Sequence, residues 1–328
     1  MDFEISTAVL HALDTAADEP LYSAAPMALN DDILGFLENQ LSKAFSNDET
    51  KGCTLSEESD FAPLLWNIED NFVSKSSTLA REWFAVLREN ASVPCGDVVF
   101  AVASAGSAEW LCAIKLNYRA GYIHYFDRED DKTRNDIVRQ TCVLGSKAEE
   151  GYFVNLTTRE VRVLEKKYDI DGKKQTYISS RLLGCKTGMS PKEKLTAIQC
   201  VAEEVNQRFY GNTGVDETQL AAAVCEEYHA RESADDDIPV REICTKLYGD
   251  MPHAREAFTN ALAERDITLD EPLQLSAPAV RRLEKQSLRS GSGVEIKVPV
   301  SLYKDENAVQ FIKNPDGTTS LLIKNVLI

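Results

Sequence analysis

One run of residues constrains the fold more than any other part of the chain, namely 96–126, GDVVFAVASAGSAEWLCAIKLNYRAGYIHYF. Asp97–Ala103 and Glu109–Leu116 are rich in Val, Ile, Phe, Trp and Leu, which is typical of β-strands, and small residues connect them. Arg119–Gly121 predicts a turn into a further strand, Tyr122–Phe126. The run therefore predicts three consecutive strands of an antiparallel meander, on which the rest of the chain packs.

The middle strand of this meander is predicted to be central in its sheet. Residues 110–114 (WLCAI) are all apolar, whereas a strand with one face in solvent would alternate apolar and polar residues. At the end of this strand Lys115 and Asn117 bracket Leu116, and we expect their side chains to reach solvent.

Helical patterns precede the meander. Asn30 is a suitable N-cap for a helix over 33–45, where apolar residues recur at helical spacing. A second helix is predicted over 78–87 and leads directly into the meander. Residues 3–17 fit either a strand or a helix, and the polar residues 47–59 predict a connection with little to pack.

Charged and hairpin signals follow the meander. The stretch 127–136, DREDDKTRND, predicts a charged, solvated turn or loop more than a cation site. Hairpins are predicted across Thr157–Arg159 and across Asp171–Gly172, an Asp-Gly pair that favours tight reversal. The N-terminal half is therefore expected to consist of helices on a mostly antiparallel sheet.

Composition changes after residue 185. Pro191 is predicted to begin a helix, and Pro278–Ser290 predicts a short one. Further helical patterns cover 219–232, 240–248 and 252–265, and strand patterns cover 294–302, 309–313 and 320–326. These patterns give the α+β class, with helices packed on a mostly antiparallel sheet, an acidic helical middle region and a C-terminal β element.

Three parts are expected along the chain. They are an N-terminal α+β domain over 1–185 built on the meander, an acidic helical region over 186–270, and a short helix with β-strands over 271–328. The C-terminal strands either complete the first sheet or form a separate unit, and the sequence leaves both arrangements open.

The charge of the chain restricts its partners. With a net charge of −17, the protein repels a polyanion at long range, so any contact with nucleic acid must be local. No apolar run approaches the roughly 18 residues of a membrane span, and Met1–Glu4 lacks a basic region. We therefore expect no membrane contact and a cytoplasmic location.

The cysteines and motifs give little sign of chemistry. Eight cysteines are spread singly with no CxxC pair, which disfavours zinc and predicts mostly small, buried, reduced side chains, with a catalytic thiol as a minor alternative. The chain lacks GxxxxGK[ST], GxGxxG, GxSxG and HExxH. We expect no cofactor, no metal site, no catalytic residues and no enzymatic activity, and a hydrolase or nuclease is the least favoured alternative.

Several blocks of sequence together resemble a known family. They are GDVVFAVAS, WLCAIKLNY, the helical NQRFYGNTG, RSGSGVEIKVPVSLY and KNPDGTTSLLIKN, in that order. This order resembles the bacterial 37-kDa nucleoid-associated protein family (NdpA-like) over most of the chain, and the mass of 36.5 kDa fits. The resemblance implies a cytoplasmic protein found with the nucleoid, associated with DNA of the bacterial chromosome and with nucleoid proteins such as type II topoisomerases. It implies no catalytic residues.

Two basic groups are the candidates for direct contact with DNA. In a helix over 278–290, positions 281, 285 and 289, or 282, 285 and 289, would share one face and could follow a phosphate backbone. The second group lies in a locally basic stretch. The groups are Arg281, Arg282, Lys285 and Arg289, and Lys166, Lys167, Lys173 and Lys174. The alternative for both is an ordinary solvated surface.

Two functions remain. The favoured hypothesis is a non-enzymatic nucleoid-associated protein that binds double-stranded DNA weakly through local basic patches and acts with nucleoid partners. The alternative is an acidic adaptor that docks on topoisomerase-type proteins without touching DNA. A homo-oligomer is compatible with either function.

Overall fold

The computed structural model describes residues 2–17, 19–56, 59, 61–129, 132–144, 147–210, 217–231, 237–289, 291–302, 305, 307–315 and 318–325. Of residues 129, 132, 141–143, 217, 286–289, 311, 313 and 319 only the backbone is described. The chain folds into two compact units, Met1–Ser190 and Pro191–Ile328.

The first unit is built on one antiparallel sheet. Its strands are β1 (Glu4–Leu13), β2 (Lys51–Leu55), β3 (Gly96–Ala105), β4 (Ala108–Glu129), β5 (Lys132–Leu144), β6 (Glu150–Asn155), β7 (Val161–Leu164) and β10 (Cys185–Thr187), with a separate hairpin of β8 (Tyr168–Ile170) and β9 (Lys173–Gln175). The order across the sheet is β1-β3-β4-β6-β7-β2-β10, and β5 pairs with the far part of β4. The predicted α+β class is confirmed.

Helices cover both faces of this sheet. They are α1 (Asp31–Phe45), α2 (Ala62–Trp66) and α3 (Phe72–Glu89), followed later by one π-helical turn at Ile178–Leu182. Because neighbouring residues of a strand point to opposite faces, Phe100 of β3 packs in the cluster that contains Trp83 of α3. Val99 packs instead in the cluster that contains Leu41 of α1. The sheet is therefore the middle layer of three.

Local signals place several elements as predicted. The Asn30 side chain accepts a hydrogen bond from the Ile33 N–H at 2.9 Å, so the predicted cap of α1 is confirmed. β4 lies between β3 and β6, and Trp110–Ile114 is buried, as a central strand requires. At Gly151 in β6 an added Cβ would lie 2.4 Å from the Ala113 carbonyl oxygen, so only glycine permits this close approach.

Three predictions for the first unit are wrong. Residues 47–59 contain β2, which pairs with β7 inside the sheet, although the segment is too polar to be recognised as a strand. Arg119–Gly121 forms no turn, because β4 continues through it with a register irregularity against β5. The stretch 127–136 is no loop, since Asp127–Glu129 extends β4 and Lys132 begins β5.

The second unit is mainly helical. It contains α4 (Pro191–Phe209), α5 (Glu217–Arg231), α6 (Val240–Tyr248), α7 (Pro252–Ala263) and α8 (Ala277–Leu283), with hairpins of β11 (Ile238–Pro239) and β12 (Pro272–Leu273), β13 (Lys285–Arg289) and β14 (Glu295–Pro299), and β15 (Val309–Lys313) and β16 (Thr319–Ile323). Among the described residues these C-terminal strands pair in separate two-stranded sheets and not with the first sheet. The core centres on Val201, Val224, Ile243 and Phe258.

Two cysteines depart from the expectation of free, buried thiols. Cys53 of β2 and Cys185 of β10 form a disulfide between the two strands at the end of the sheet. They are 132 residues apart in sequence, so only the folded sheet brings them together. Of the other cysteines, Cys112 and Cys244 are buried in apolar clusters, as predicted.

Candidate nucleic-acid interface

A two-stranded ribbon projects from the first sheet. Beyond Tyr118, β4 leaves β3 and β6 and pairs with β5, from Tyr118 opposite Leu144 to Glu129 opposite Lys132. At about 3.4 Å per residue the paired length is roughly 35 Å. We call this hairpin, 118–129 with 132–144, the ribbon. Its tip residues, 130 and 131, lie outside the described residues.

One face of the ribbon combines arginines with large apolar side chains. Directly opposed residues of a pair share a face, and faces alternate along the strand. Four described rows therefore form one face, which we call the cationic face: Tyr122 opposite Arg139, His124 opposite Ile137, Phe126 opposite Asn135, and Arg128 opposite Thr133.

Contacts between side chains support this assignment. His124 Nε2 lies 3.1 Å from Asn135 Oδ1, and the rings of His124 and Phe126 are 6.3 Å apart. Tyr122, Phe126 and Ile137 are 74%, 60% and 73% exposed, although such side chains are normally covered. The cationic face therefore presents uncovered aromatic and apolar surface beside two arginines.

Carboxylates are confined to the other face of the described ribbon. The rows on that side are Ile123 opposite Val138, Tyr125 opposite Asp136, and Asp127 opposite Arg134, and we call it the mixed-charge face. Arg134 Nη2 lies 3.2 Å from Asp136 Oδ2, which places both on this side. The four rows of the cationic face contain no Asp or Glu, in a chain that carries 53 of them.

This geometry suits a nucleic-acid groove. The DNA major groove, about 12 Å wide, admits a two-stranded β-ribbon. Arginines bind phosphates and guanine edges, and apolar side chains contact thymine methyl groups or insert between bases. Because the carboxylates face away, the local surface can meet a polyanion that the protein as a whole repels.

The first predicted basic group does not share a helix face. The helix α8 ends at Leu283, and Lys285 already belongs to β13, so the predicted helix over 278–290 is wrong beyond its first half. The chain turns there because the Val300 N–H donates to the Glu284 carbonyl and β13 pairs with β14. Arg281, Arg282 and Lys285 are exposed, and the side chain of Arg289 lies outside the described residues.

The second predicted group surrounds the β8–β9 hairpin. Lys166 Nζ lies 2.7 Å from Glu149 Oε2, and this ion pair lowers the pKa of the glutamate. Lys173 and Lys174 are exposed on β9, where Lys174 is opposite Asp169. The hairpin turns at Asp171–Gly172 as predicted, with φ values of 53° and 72°. Acidic neighbours thus offset part of this group's charge.

The most strongly perturbed ion pair lies inside the core. Lys115 Nζ is 2.7 Å from Glu150 Oε2, and both side chains are fully buried, so the expectation that Lys115 reaches solvent is wrong. Burial lowers the pKa of Lys115, and the charge of Glu150 opposes this shift. The Pro94 carbonyl accepts a further hydrogen bond from Lys115 at 2.8 Å. These contacts stabilise a buried charge and offer nothing to a molecule outside.

Two further observations bear on the kind of site. The described residues contain no group of three or more His, Cys, Asp or Glu side chains placed to hold a metal ion. None of the helices in the described part of the chain has both the length and the apolar character needed to cross a bilayer.

Reasoning from the sequence missed the residues of the cationic face. The strand Tyr122–Phe126 was predicted, but its partner was read as a charged loop, so the faces had no register. The signal was present in TRNDIVRQTCV, which alternates polar residues with Ile, Val and Cys in its second half.

The fold and this surface define an α+β protein with a projecting β-ribbon that separates arginines from carboxylates. The family model described as nucleoid-associated protein YejK matches residues 9–327. The chain therefore belongs to the nucleoid-associated protein YejK family, and the family resemblance of its sequence is confirmed. Among curated proteins no relative matches the chain.

Proposed function

We propose that this protein is a non-enzymatic nucleoid-associated protein of the bacterial cytoplasm that binds double-stranded DNA weakly through the cationic face of the ribbon. Partner proteins of the nucleoid, such as type II topoisomerases, contribute to its localisation. The segregation of Arg128 and Arg139 from the carboxylates of the ribbon carries the proposal, since it gives an acidic protein one extended surface fit for a polyanion.

The two basic groups predicted from sequence are secondary contacts in this proposal. Arg281, Arg282, Lys285 and Arg289 come from a helix end and a strand, and Lys166, Lys167, Lys173 and Lys174 have acidic neighbours. Neither group combines cations with exposed aromatic side chains as the ribbon does.

The test is fluorescence anisotropy of a labelled duplex with purified protein across a salt series. We expect the logarithm of the binding constant to fall linearly with the logarithm of salt concentration, by about 0.9 for each phosphate contacted. In the variant Arg128→Ala with Arg139→Ala we expect weaker binding and a slope shallower by about 1.8.

A matched control comes from the same ribbon. Arg134 is an exposed arginine of β5 on the mixed-charge face, so Arg134→Ala is expected to leave the slope unchanged. Equal losses in both variants would contradict the assignment to one face. A loss only when Arg281, Arg282, Lys285 and Arg289 are all changed to Ala would move the interface to the second unit.

The adaptor alternative is the outcome if wild-type protein fails to bind duplex at low salt. The net charge of −17 favours contact with basic protein surfaces in that case. Salt-dependent binding to purified type II topoisomerase, in the absence of DNA, would then support the adaptor function.

A further inference from the structure

The mixed-charge face of the ribbon is also uncovered. Ile123, Tyr125 and Val138 are 44%, 52% and 37% exposed there, beside Asp127, Asp136 and Arg134. Exposed apolar side chains rimmed by charges mark interaction surfaces. The two carboxylates would repel DNA at this face, so its occupant differs in chemistry from that of the cationic face.

The order of residues along this face is self-complementary. From base to tip, the rows read Ile123 opposite Val138, Tyr125 opposite Asp136, and Asp127 opposite Arg134. A two-fold axis parallel to the ribbon would lay β4 of one copy over β5 of the other, row on row. Asp127 of each copy would then meet Arg134 of the other, Tyr125 would meet Asp136, and Ile123 would meet Val138.

Other arrangements lack this match. If the axis crossed the ribbon at the row of Tyr125, Ile123 would lie over Asp127 and apolar surface would meet a carboxylate. Twist does not oppose the parallel axis, because two-stranded ribbons share one hand of twist and can coil about a common line. A symmetric dimer interface pairs each residue type with its complement in this way.

We propose that the mixed-charge face binds the same face of a second copy of this chain, with the two-fold axis along the ribbon. Acid then meets base twice across the axis, and the exposed apolar row is covered. The dimer goes beyond the DNA-binding function and does not depend on it, since it uses the opposite face.

The size of the contact sets its strength. A ribbon face roughly 35 Å long and 10 Å wide covers about 350 Å² on each copy, below the 800 Å² or so of stable interfaces. The ribbon alone therefore supports a weak dimer, populated only at high protein concentration. Charge complementarity fixes which surfaces meet more than how tightly they hold.

The test exchanges the two charges. In the variant Asp127→Arg with Arg134→Asp the pair within each ribbon is kept, so the ribbon itself retains its cross-strand attraction. Two copies of this swapped protein still match across the axis. A swapped copy against a wild-type copy places arginine on arginine and aspartate on aspartate, which is unfavourable.

Sedimentation velocity over a concentration series first measures dimerisation of the wild-type and swapped proteins, and native mass spectrometry then counts the species in their equimolar mixture. We expect both proteins to dimerise alike and the mixed dimer to be depleted at least about tenfold below its statistical share. The control variant, Arg128→Glu on the cationic face, should mix freely with wild type. A wild-type protein that stays monomeric, or a swapped protein that forms mixed dimers at the statistical share, would overturn the proposal.

Discussion

At the scale of single residues, burial decides what the titratable groups do. His11 was read from sequence as a packed or surface residue rather than a ligand, and the structure buries it fully. The Ser23 N–H donates to Nδ1 at 3.1 Å, and Nε2 lies 3.0 Å from Ser76 Oγ. The rings of Tyr22 and Phe100 lie on either contact side at 5.8 Å. The ring is therefore held neutral in an apolar site.

This histidine should make stability depend on pH. Burial lowers the pKa of His11 from 6.5 to about 4. Between those values the unfolded chain binds a proton that the folded protein excludes, so stability is full above pH 6.5 and is lost as the pH falls toward 4. Over the whole interval the loss is about 3 kcal/mol.

Urea unfolding of wild type and His11→Gln between pH 4 and 7 checks this effect. The difference in unfolding free energy between the two should shrink as the pH falls, because only wild type loses the histidine contribution. His253→Gln, on the exposed side of α7, serves as the control and should follow wild type. A constant difference between wild type and His11→Gln would refute the assignment.

At the scale of elements, the edge of the sheet is tied by the disulfide. β10 has three residues and pairs with β2, so few ladder hydrogen bonds hold this edge. The Cys53–Cys185 bond closes a loop of 132 residues, and such a crosslink restricts the unfolded chain. The sheet edge should consequently depend on the redox state of the protein.

Reduction is expected to lower the free energy of unfolding by about 2–4 kcal/mol. Urea titrations with and without dithiothreitol measure the change, and Cys53→Ser should be as unstable as the reduced protein and insensitive to reductant. Cys200→Ser, at an exposed free cysteine of α4, is the control and should keep the full response. Equal stability of oxidised and reduced wild type would show that the bond contributes nothing.

At the scale of the whole molecule, the two faces of the ribbon have different partners. In the proposed dimer the mixed-charge faces are buried against each other, so the two cationic faces point away from the common axis. Two duplexes could then be held by one dimer, with the weaker dimer contact strengthened by DNA through effective concentration.

The expected outcome is bridging of DNA, which rests on both proposals. A duplex fixed to beads should retain a second, labelled duplex when wild-type protein is added, and Arg128→Ala with Arg139→Ala should retain neither protein nor label. Arg134→Asp, which sets carboxylates against carboxylates across the axis, should bind the fixed duplex but hold less of the second. Retention of the label by Arg134→Asp at the wild-type level would argue against bridging through this dimer.

The sequence by itself determined the α+β class, the central strand Trp110–Ile114, the cap of α1 and the turn at Asp171–Gly172. Each rests on interactions within a short segment, where apolar period, capping and turn chemistry are written locally. The family, too, is visible in blocks distributed along the chain.

Only the tertiary structure decided the rest. The ribbon required Arg119–Gly121 to pass as strand, and a glycine there serves a bulge as well as a turn. Which residues share a face depends on the register between β4 and β5, since a shift of one residue would move every side chain to the other side. The burial of Lys115 and the Cys53–Cys185 bond likewise depend on strands brought together from distant parts of the chain. A charge pattern in sequence becomes a surface only when a partner strand fixes which side chains stand together.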